Sequence, residues 1–320
     1  MANRVPNVFH FVFGLRPQTE PFHLLFYLCL KSCLDVNRPE KIYFHYQNEP
    51  WGEWWERIKP HLTLNPITPN SFMAEYKYQN KELAGWRYAH LSDFTRMEML
   101  LRYGGVYADM DTLFIAPLPA SLFEKSFVMG EEAPEYTADG QRKSEGSLCN
   151  AWMMGEPDAP FLKTWLDQME TGFDGTWNAH STLLPFRLSR QYPDQVHVEP
   201  QRSFFHLSYT TTDLKRIFFE NHTDMEGVYS LHLWSHLWHN RLWWNREVLT
   251  PAFLSAGLIT PAYVLYADTT YAHYARRFLP EDVRASAAQY QRERMMFNLS
   301  SLPAYFSEKV SSRAQQMIRK

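Results

Sequence analysis

The stretch that decides how this chain folds reads Ala89-His90-Leu91-Ser92-Asp93-Phe94-Thr95-Arg96, continues to Leu100-Leu101-Arg102-Tyr103, breaks at Gly104-Gly105, and runs on as Val106-Tyr107-Ala108-Asp109-Met110-Asp111 and Thr112-Leu113-Phe114-Ile115. Leu91, Phe94, Met97, Leu100 and Leu101 recur at helical spacing, which predicts a helix over 89–103. Gly104-Gly105 supplies the positive φ that ends a helix. Val106-Tyr107-Ala108 then reads as a short buried strand that delivers Asp109 at its carboxyl end.

Working outward, Val8-Phe9-His10-Phe11-Val12-Phe13 is dense in β-branched and aromatic residues and stops at Gly14, the pattern of a buried strand. Residues 22–34 are helix-like, Arg38-Pro39 breaks the chain, and Lys41 to Tyr46 is a second strand. Strand, helix and strand in that order form a βαβ unit, so the sheet is expected to be α/β and mostly parallel. A short helix over 51–59 and a weaker strand over 63–67 follow. Beyond the central stretch, strands are expected at 127–130, 149–154, 196–198 and 227–234, a loop at 131–147 and a helix at 160–169. From about residue 250 the chain turns helical and rich in Ala and Arg. These readings give a main α/β domain over 1–250 and a helical extension over 251–320.

Hydrophobic residues make up 45% of the 320 residues, which is ample for a sizeable core. Most of the 11 tryptophans are expected in that core or at interfaces. A net charge of −3 carries no electrostatic footprint for nucleic acid. Cys29, Cys33 and Cys149 form no disulfide framework, and the first two read as buried thiols in a reducing compartment. Met1 to Asn7 lead directly into a strand, so no signal peptide is expected, and 24–30 is too short to span a bilayer. The expectation is a cytoplasmic protein. Its tail beyond Asp282 is basic and interleaved with Met295, Met296, Phe297, Tyr305 and Phe306, which suits peripheral contact with the inner face of a membrane.

The chemistry centres on Asp109-Met110-Asp111. In an extended segment alternate residues point the same way, so the two carboxylates would converge while Met110 turns inward. Hard oxygen ligands suit Mn²⁺ or Mg²⁺, which keep positions open for phosphate oxygens. A cation there could neutralise charge on a departing diphosphate. Three residues alone are a weak signal. The preceding helix, Gly-Gly stop and buried strand place the pair at the carboxyl end of a strand, where open α/β sheets bind ligands.

The segment 89–111 as a whole closely resembles the DXD sugar-binding region of a retaining glycosyltransferase family. That family includes fungal mannosyltransferases and bacterial capsule and lipo-oligosaccharide enzymes, and the glucosylating clostridial toxins have a similar core. The resemblance implies a GT-A type, Rossmann-like sheet and transfer of a sugar, with retention, from a UDP- or GDP-sugar to a glycan or lipid-linked acceptor. It implies donor contacts from Val12, Phe13, Tyr88, Ser92, Asp93, Arg96 and Asp109, with Phe13 where a ring stacks on the base. It gives Asp93, Arg96 and Asn150 catalytic positions, and makes Asp109, Asp111 and His232 the metal ligands. Residues 160–225 and the tail match nothing in that pattern.

Some choices stay open at this level. His232, His236 and His239 would share one face if 232–239 were helical, as in a zinc site; in a strand-then-loop only one need reach a metal, and His232 is preferred. Glu131 and Glu132 read as solvated loop residues rather than a nucleophile. A catalytically idle, sugar-binding protein is the alternative function; it predicts binding indifferent to metal and to Asp111→Asn. A metal-dependent hydrolase or nucleotidyltransferase would need further carboxylates or a phosphate-cradling loop.

Overall fold

Val8–Phe13, rich in residues that favour strands, form β1, an interior strand of the sheet. The computed structural model describes residues 4–68, 70–79, 81–132, 146–235, 241–244, 251–254, 256–297 and 299. Helix α1 (Leu24–Asn37) follows, opened by the His23 ring accepting the Leu25 N–H and closed by Arg38 in the left-handed region. It returns the chain to β2 (Lys41–Tyr46), which lies parallel to β1. The short α2 (Glu53–Ile58) leads to β3 (Thr63–Pro66), parallel to β2. The small helices α3 (Ser71–Glu75) and α4 (Lys81–Ala84) precede α5 (Arg87–Tyr103).

The Gly104-Gly105 stop has a double cause. Both residues have positive φ, 63° and 104°, and a Cβ on Gly105 would sit 2.4 Å from the carbonyl oxygen of Val8. Only glycine permits that approach. It lets β4 (Gly105–Ala108) enter the sheet parallel to β1. β5 (Thr112–Phe114) leaves the sheet, α6 (Ala120–Phe123) follows, and β6 (Phe127–Glu131) and β7 (Leu148–Gly155) pair antiparallel. After α7 (Pro160–Thr171), a π-helical turn at Ala179–Leu183 and α8 (Leu184–Gln191), β8 (His197–Glu199) adds parallel to β6.

The seven-stranded sheet therefore runs β3-β2-β1-β4-β7-β6-β8. Every strand but β7 points the same way. This is the mostly parallel, helix-flanked α/β sheet that the sequence predicts. Phe9, Phe11, Phe44, Val106, Tyr107, Phe127 and Trp152 are at most 1% exposed. Each such side chain contributes about 1.5–3 kcal/mol through burial. The three cysteines are free and buried.

Two compact units divide the chain. One comprises residues up to Ser208 with Met225–His232; the other comprises Tyr209–Asp224 with the residues from Leu233 onward. The expected boundary after residue 250 abuts 245–250, which lie outside the described residues. The first unit also holds α9 (Gln201–Phe205) and β9 (Ser230–His232), which pairs antiparallel with β5. The second holds α10 (Thr211–Phe218), α11 (Pro261–Tyr266), α12 (Thr270–Ala275) and a helix over 287–297. Residues 251–254 are a strand, β11, paired antiparallel with β10 (Arg241–Trp244), so the extension is not purely helical. Its Ala/Arg-rich composition begins only after this hairpin. Among the described residues, no helix is long and apolar enough to cross a membrane.

Candidate active site

Helix α5 presents two kinds of surface. Phe94, Met97 and Leu100, each fully buried, anchor it to the core; Asp93 and Arg96, 7% and 6% exposed, lie on the polar side. Arg96 is the hub. Its Nη1 lies 2.9 Å from the Asn150 carbonyl oxygen and 3.2 Å from Asp109 Oδ1, and its Nη2 lies 3.4 Å from Asp93 Oδ1. Nε donates to the Ser92 carbonyl and Nη2 to the Ser92 hydroxyl, while the guanidinium packs 4.6 Å from the centroid of the Tyr107 ring. Asp93 and Arg96 thus form an i,i+3 ion pair, which is one contact of a network that also ties in Asp109. Removing one partner of a buried pair costs about 3–5 kcal/mol, because the other charge is left stranded.

Asp109-Met110-Asp111 is not an extended segment. The Thr112 N–H donates to the Asp109 carbonyl at 3.0 Å, closing a four-residue turn. The carboxylates converge through that turn and not through strand alternation, while Met110 is buried as expected. Asp109 is held to β7 by its N–H to Ala151 O at 2.8 Å, and its Oδ1 accepts from the Tyr107 hydroxyl at 2.5 Å. On the other side, β9 places His232 opposite Thr112. His232 Nε2 lies 3.2 Å from Asp111 Oδ1 and 3.8 Å from Asp109 Oδ2. Burial lowers the His232 pKa, and Asp111 and then Asp109 more than offset this, leaving it above the ordinary value. His232 is thus a strand residue, and the zinc-type helical face is excluded at that position; His236 and His239 lie outside the described residues.

Ligand atoms of Asp109, Asp111 and His232 all lie within 4.8 Å of one another. Three carboxylates, Asp93, Asp109 and Asp111, share this region with one guanidinium, so a further cation has charge to neutralise. Two carboxylates and an imidazole are a chemically suitable set for a divalent ion.

Asn150, at the start of β7, donates from Nδ2 to Asp93 Oδ1 at 2.8 Å. The other Asp93 oxygen faces a residue that sequence reasoning missed. His180, on the π-helical turn, places Nε2 3.0 Å from Asp93 Oδ2. Its Nδ1 is buried without a hydrogen-bond partner among the described residues. Burial pushes the Asp93 carboxyl up, and Arg96, His180 and Asn150 outweigh this, so it is held below the usual carboxylate range. No sequence signal pointed to His180: it is a lone histidine in a segment without a motif.

The remaining donor-side candidates are spread more widely. Val12 is buried in the core, and Phe13, at the end of β1, packs with Phe22 and Phe26 at centroid distances of 5.3 and 5.0 Å. Tyr88 is 46% exposed on the first turn of α5, and Ser92 is spent on Arg96. Glu131 is exposed at the end of β6. The basic tail from 301 lies outside the described residues.

The fold is thus a mostly parallel α/β sheet that carries an acidic turn, a buried Asp-Arg pair and a facing histidine. Residues 29–128 match the family described as glycosyltransferase sugar-binding region containing DXD motif. The chain is similar to glucan organizing enzyme 1 of Cryptococcus neoformans var. grubii, 32% identical over 244 residues, covering 73% of this chain and 63% of that protein. It is also similar to putative glycosyltransferase HOC1 of Saccharomyces cerevisiae, 27% identical over 174 residues, covering 50% and 41%. The chain thus spans 63% and 41% of the length of these two relatives. Among solved structures, it resembles the galactosyltransferase LgtC in complex with donor and acceptor sugar analogues (TM-score 0.40, 13% identity, 89% of this chain and 99% of that one). The PaToxG glycosyltransferase gives a TM-score of 0.41 at 15% identity, over 58% and 69%.

Proposed function

We propose that this chain is a metal-dependent, retaining glycosyltransferase that moves a sugar from a UDP- or GDP-sugar to a glycan or lipid-linked acceptor. One observation carries the reading: Asp109, Asp111 and His232 converge within 4.8 Å directly beside the buried Asp93–Arg96–Asn150 network. The kinship with a putative glycosyltransferase supports it.

In this reading Asp109, Asp111 and His232 hold Mn²⁺ or Mg²⁺. Such an ion supplies Lewis-acid neutralisation of the diphosphate. Asp93, kept ionised by its three neighbours, accepts hydrogen bonds from donor-sugar hydroxyls. Arg96 fixes Asp93 and Asp109 relative to each other, so that the sugar and the metal ligands share one rigid frame. Each carboxylate in the frame has a cationic or imidazole neighbour: Arg96 for Asp109, Arg96 and His180 for Asp93, His232 for Asp111. Retention then fits attack by the acceptor hydroxyl on the face the diphosphate leaves. The anomeric C–O bond to phosphate breaks, the bond to the acceptor oxygen forms, and the acceptor proton departs on the diphosphate.

The test is a panel of UDP-glucose, UDP-galactose, UDP-N-acetylglucosamine and GDP-mannose, each with Mn²⁺, Mg²⁺ or EDTA. Slow, metal-dependent hydrolysis of at least one donor is expected, together with a thermal shift that needs the metal. Neither turnover nor a metal-dependent shift with any donor would overturn the reading.

A further inference from the structure

The described tryptophans span a wide range of exposure. Trp55, Trp152 and Trp165 are at most 1% exposed, whereas Trp51, Trp86 and Trp177 leave 49%, 45% and 42% of their surface in water. Of the exposed ones, Trp86 and Trp177 stand together. Their rings meet with centroids 4.6 Å apart, tilted at 56°. Indoles brought together at the surface, without being drawn into the core, form an apolar patch that calls for a ligand.

What fixes the ligand is where the pair stands. Trp86 directly precedes α5, and its carbonyl already accepts the His90 N–H at 3.0 Å, so it starts the same helical path that carries Asp93. Asp93 lies 93 − 86 = 7 residues further on, nearly the same side of the helix and about 10 Å along it. Trp177 is tied to the π-helical turn that carries His180: the Ser181 hydroxyl donates to its carbonyl at 3.0 Å. The two segments therefore meet at Trp86–Trp177 on the surface, and at His90–His180 and Asp93–His180 in the interior. The surface pair is held in register with the buried one, at a separation that two linked sugar rings can bridge.

We propose that Trp86 and Trp177 form a stacking platform for pyranose rings of a neutral glycan acceptor, one or two residues away from the sugar that receives transfer. Pyranoses expose an apolar C–H face that packs on indole, and the 56° tilt offers each ring a differently oriented face. The assignment of these sugars as acceptor rests on the glycosyltransferase reading; the platform itself does not.

The experiment uses the full chain with Mn²⁺ and UDP, titrated with mannotriose, cellotriose and maltotriose and followed by tryptophan fluorescence. At least one trisaccharide should give saturable quenching. Trp86→Ala and Trp177→Ala should each weaken that binding about tenfold, the loss expected for one aromatic contact. Hydrolysis of the nucleotide sugar without acceptor should stay within about twofold of the unaltered chain. Trp86→Tyr, which keeps a ring, should retain most of the binding and guards against a folding defect in the alanine variant. No binding of any trisaccharide, or binding unchanged in both alanine variants, overturns the platform. Trisaccharide binding that needs both tryptophans in a chain with no donor hydrolysis supports the platform and sinks the transferase reading instead.

Discussion

Asp93 is met by an amide from β7, a guanidinium from its own helix and an imidazole from a turn 87 residues away. In the proposed reading, a carboxylate so held would lose little freedom on binding a sugar, which is the physical meaning of preorganisation. His180 should therefore act by positioning. His180→Phe, which removes the hydrogen bond and keeps a ring, is expected to lower kcat for donor hydrolysis by about ten- to a hundredfold and to cost about 1–3 kcal/mol of stability. His180→Gln, whose amide can still donate to Asp93, should recover much of the rate; equal rates for both variants and the unaltered chain would remove His180 from the mechanism. Asp111 makes a different prediction. At metal concentrations near a hundred times Kd, binding to the folded form adds about 2.7 kcal/mol, and Asp111→Asn should abolish this Mn²⁺-dependent rise in Tm. A metal response kept intact in Asp111→Asn would mean that the ion is held without this carboxylate and would overturn its place in the metal site. The sequence made Asp93, Arg96, Asp109 and Asp111 readable because they sit in one contiguous, strongly patterned segment. It could not show His180, whose role exists only after the chain has folded back on α5.

At the scale of elements, the Gly104-Gly105 stop was legible for its conformation but not for its crowding. Gly105→Ala would force a Cβ against the Val8 carbonyl at a φ of 104°. Strain at such a position costs about 1–3 kcal/mol before the clash is added, so a loss of about 3 kcal/mol in urea denaturation is expected, with catalysis lost along with β4. Stability within 1 kcal/mol of the unaltered chain would show that β4 can shift without harm. The turn at 109–112 was misread as extended because apolar and polar residues alternate there just as they do in a strand. What distinguishes the two is a single backbone hydrogen bond, Thr112 N to Asp109 O, that no pattern encodes. The pairing of β5 with β9 was invisible for a related reason: it joins segments more than a hundred residues apart, and only the register Thr112 to His232 turns a histidine into a neighbour of the acidic turn. Strand and helix types, set by local periodicity, were read far better than these non-local pairings.

Across the larger unit, the parallel strands are also joined by a polar thread. Asn65 on β3 donates to His45 Nδ1 at 2.8 Å, His45 Nε2 faces His10 Nδ1 at 2.9 Å, and His10 Nε2 faces the Gly104 carbonyl at 2.9 Å. Donors and acceptors alternate without conflict only if both rings are neutral: His45 donates to His10, and His10 donates to Gly104. Burial holds them so, pulling His10 down to about 4 and His45 to about 3. Both folded-state values lie below the ordinary 6.5 of an unfolded histidine, so the unfolded chain takes up protons first as pH falls. Stability from these rings is fully present above pH 6.5 and is lost progressively as pH drops toward 4, at about 1.4 kcal/mol per pH unit for each ring that stays neutral. Urea midpoints measured at pH 7, 6 and 5 should fall accordingly. His45→Gln is the informative control, because its amide can accept from Asn65 and donate to His10 yet does not titrate. It should fold at pH 7 and show a distinctly shallower decline between pH 6 and 5. A decline as steep as that of the unaltered chain would mean that other groups govern acid stability, and that this thread only fills the space between β1, β2 and β3.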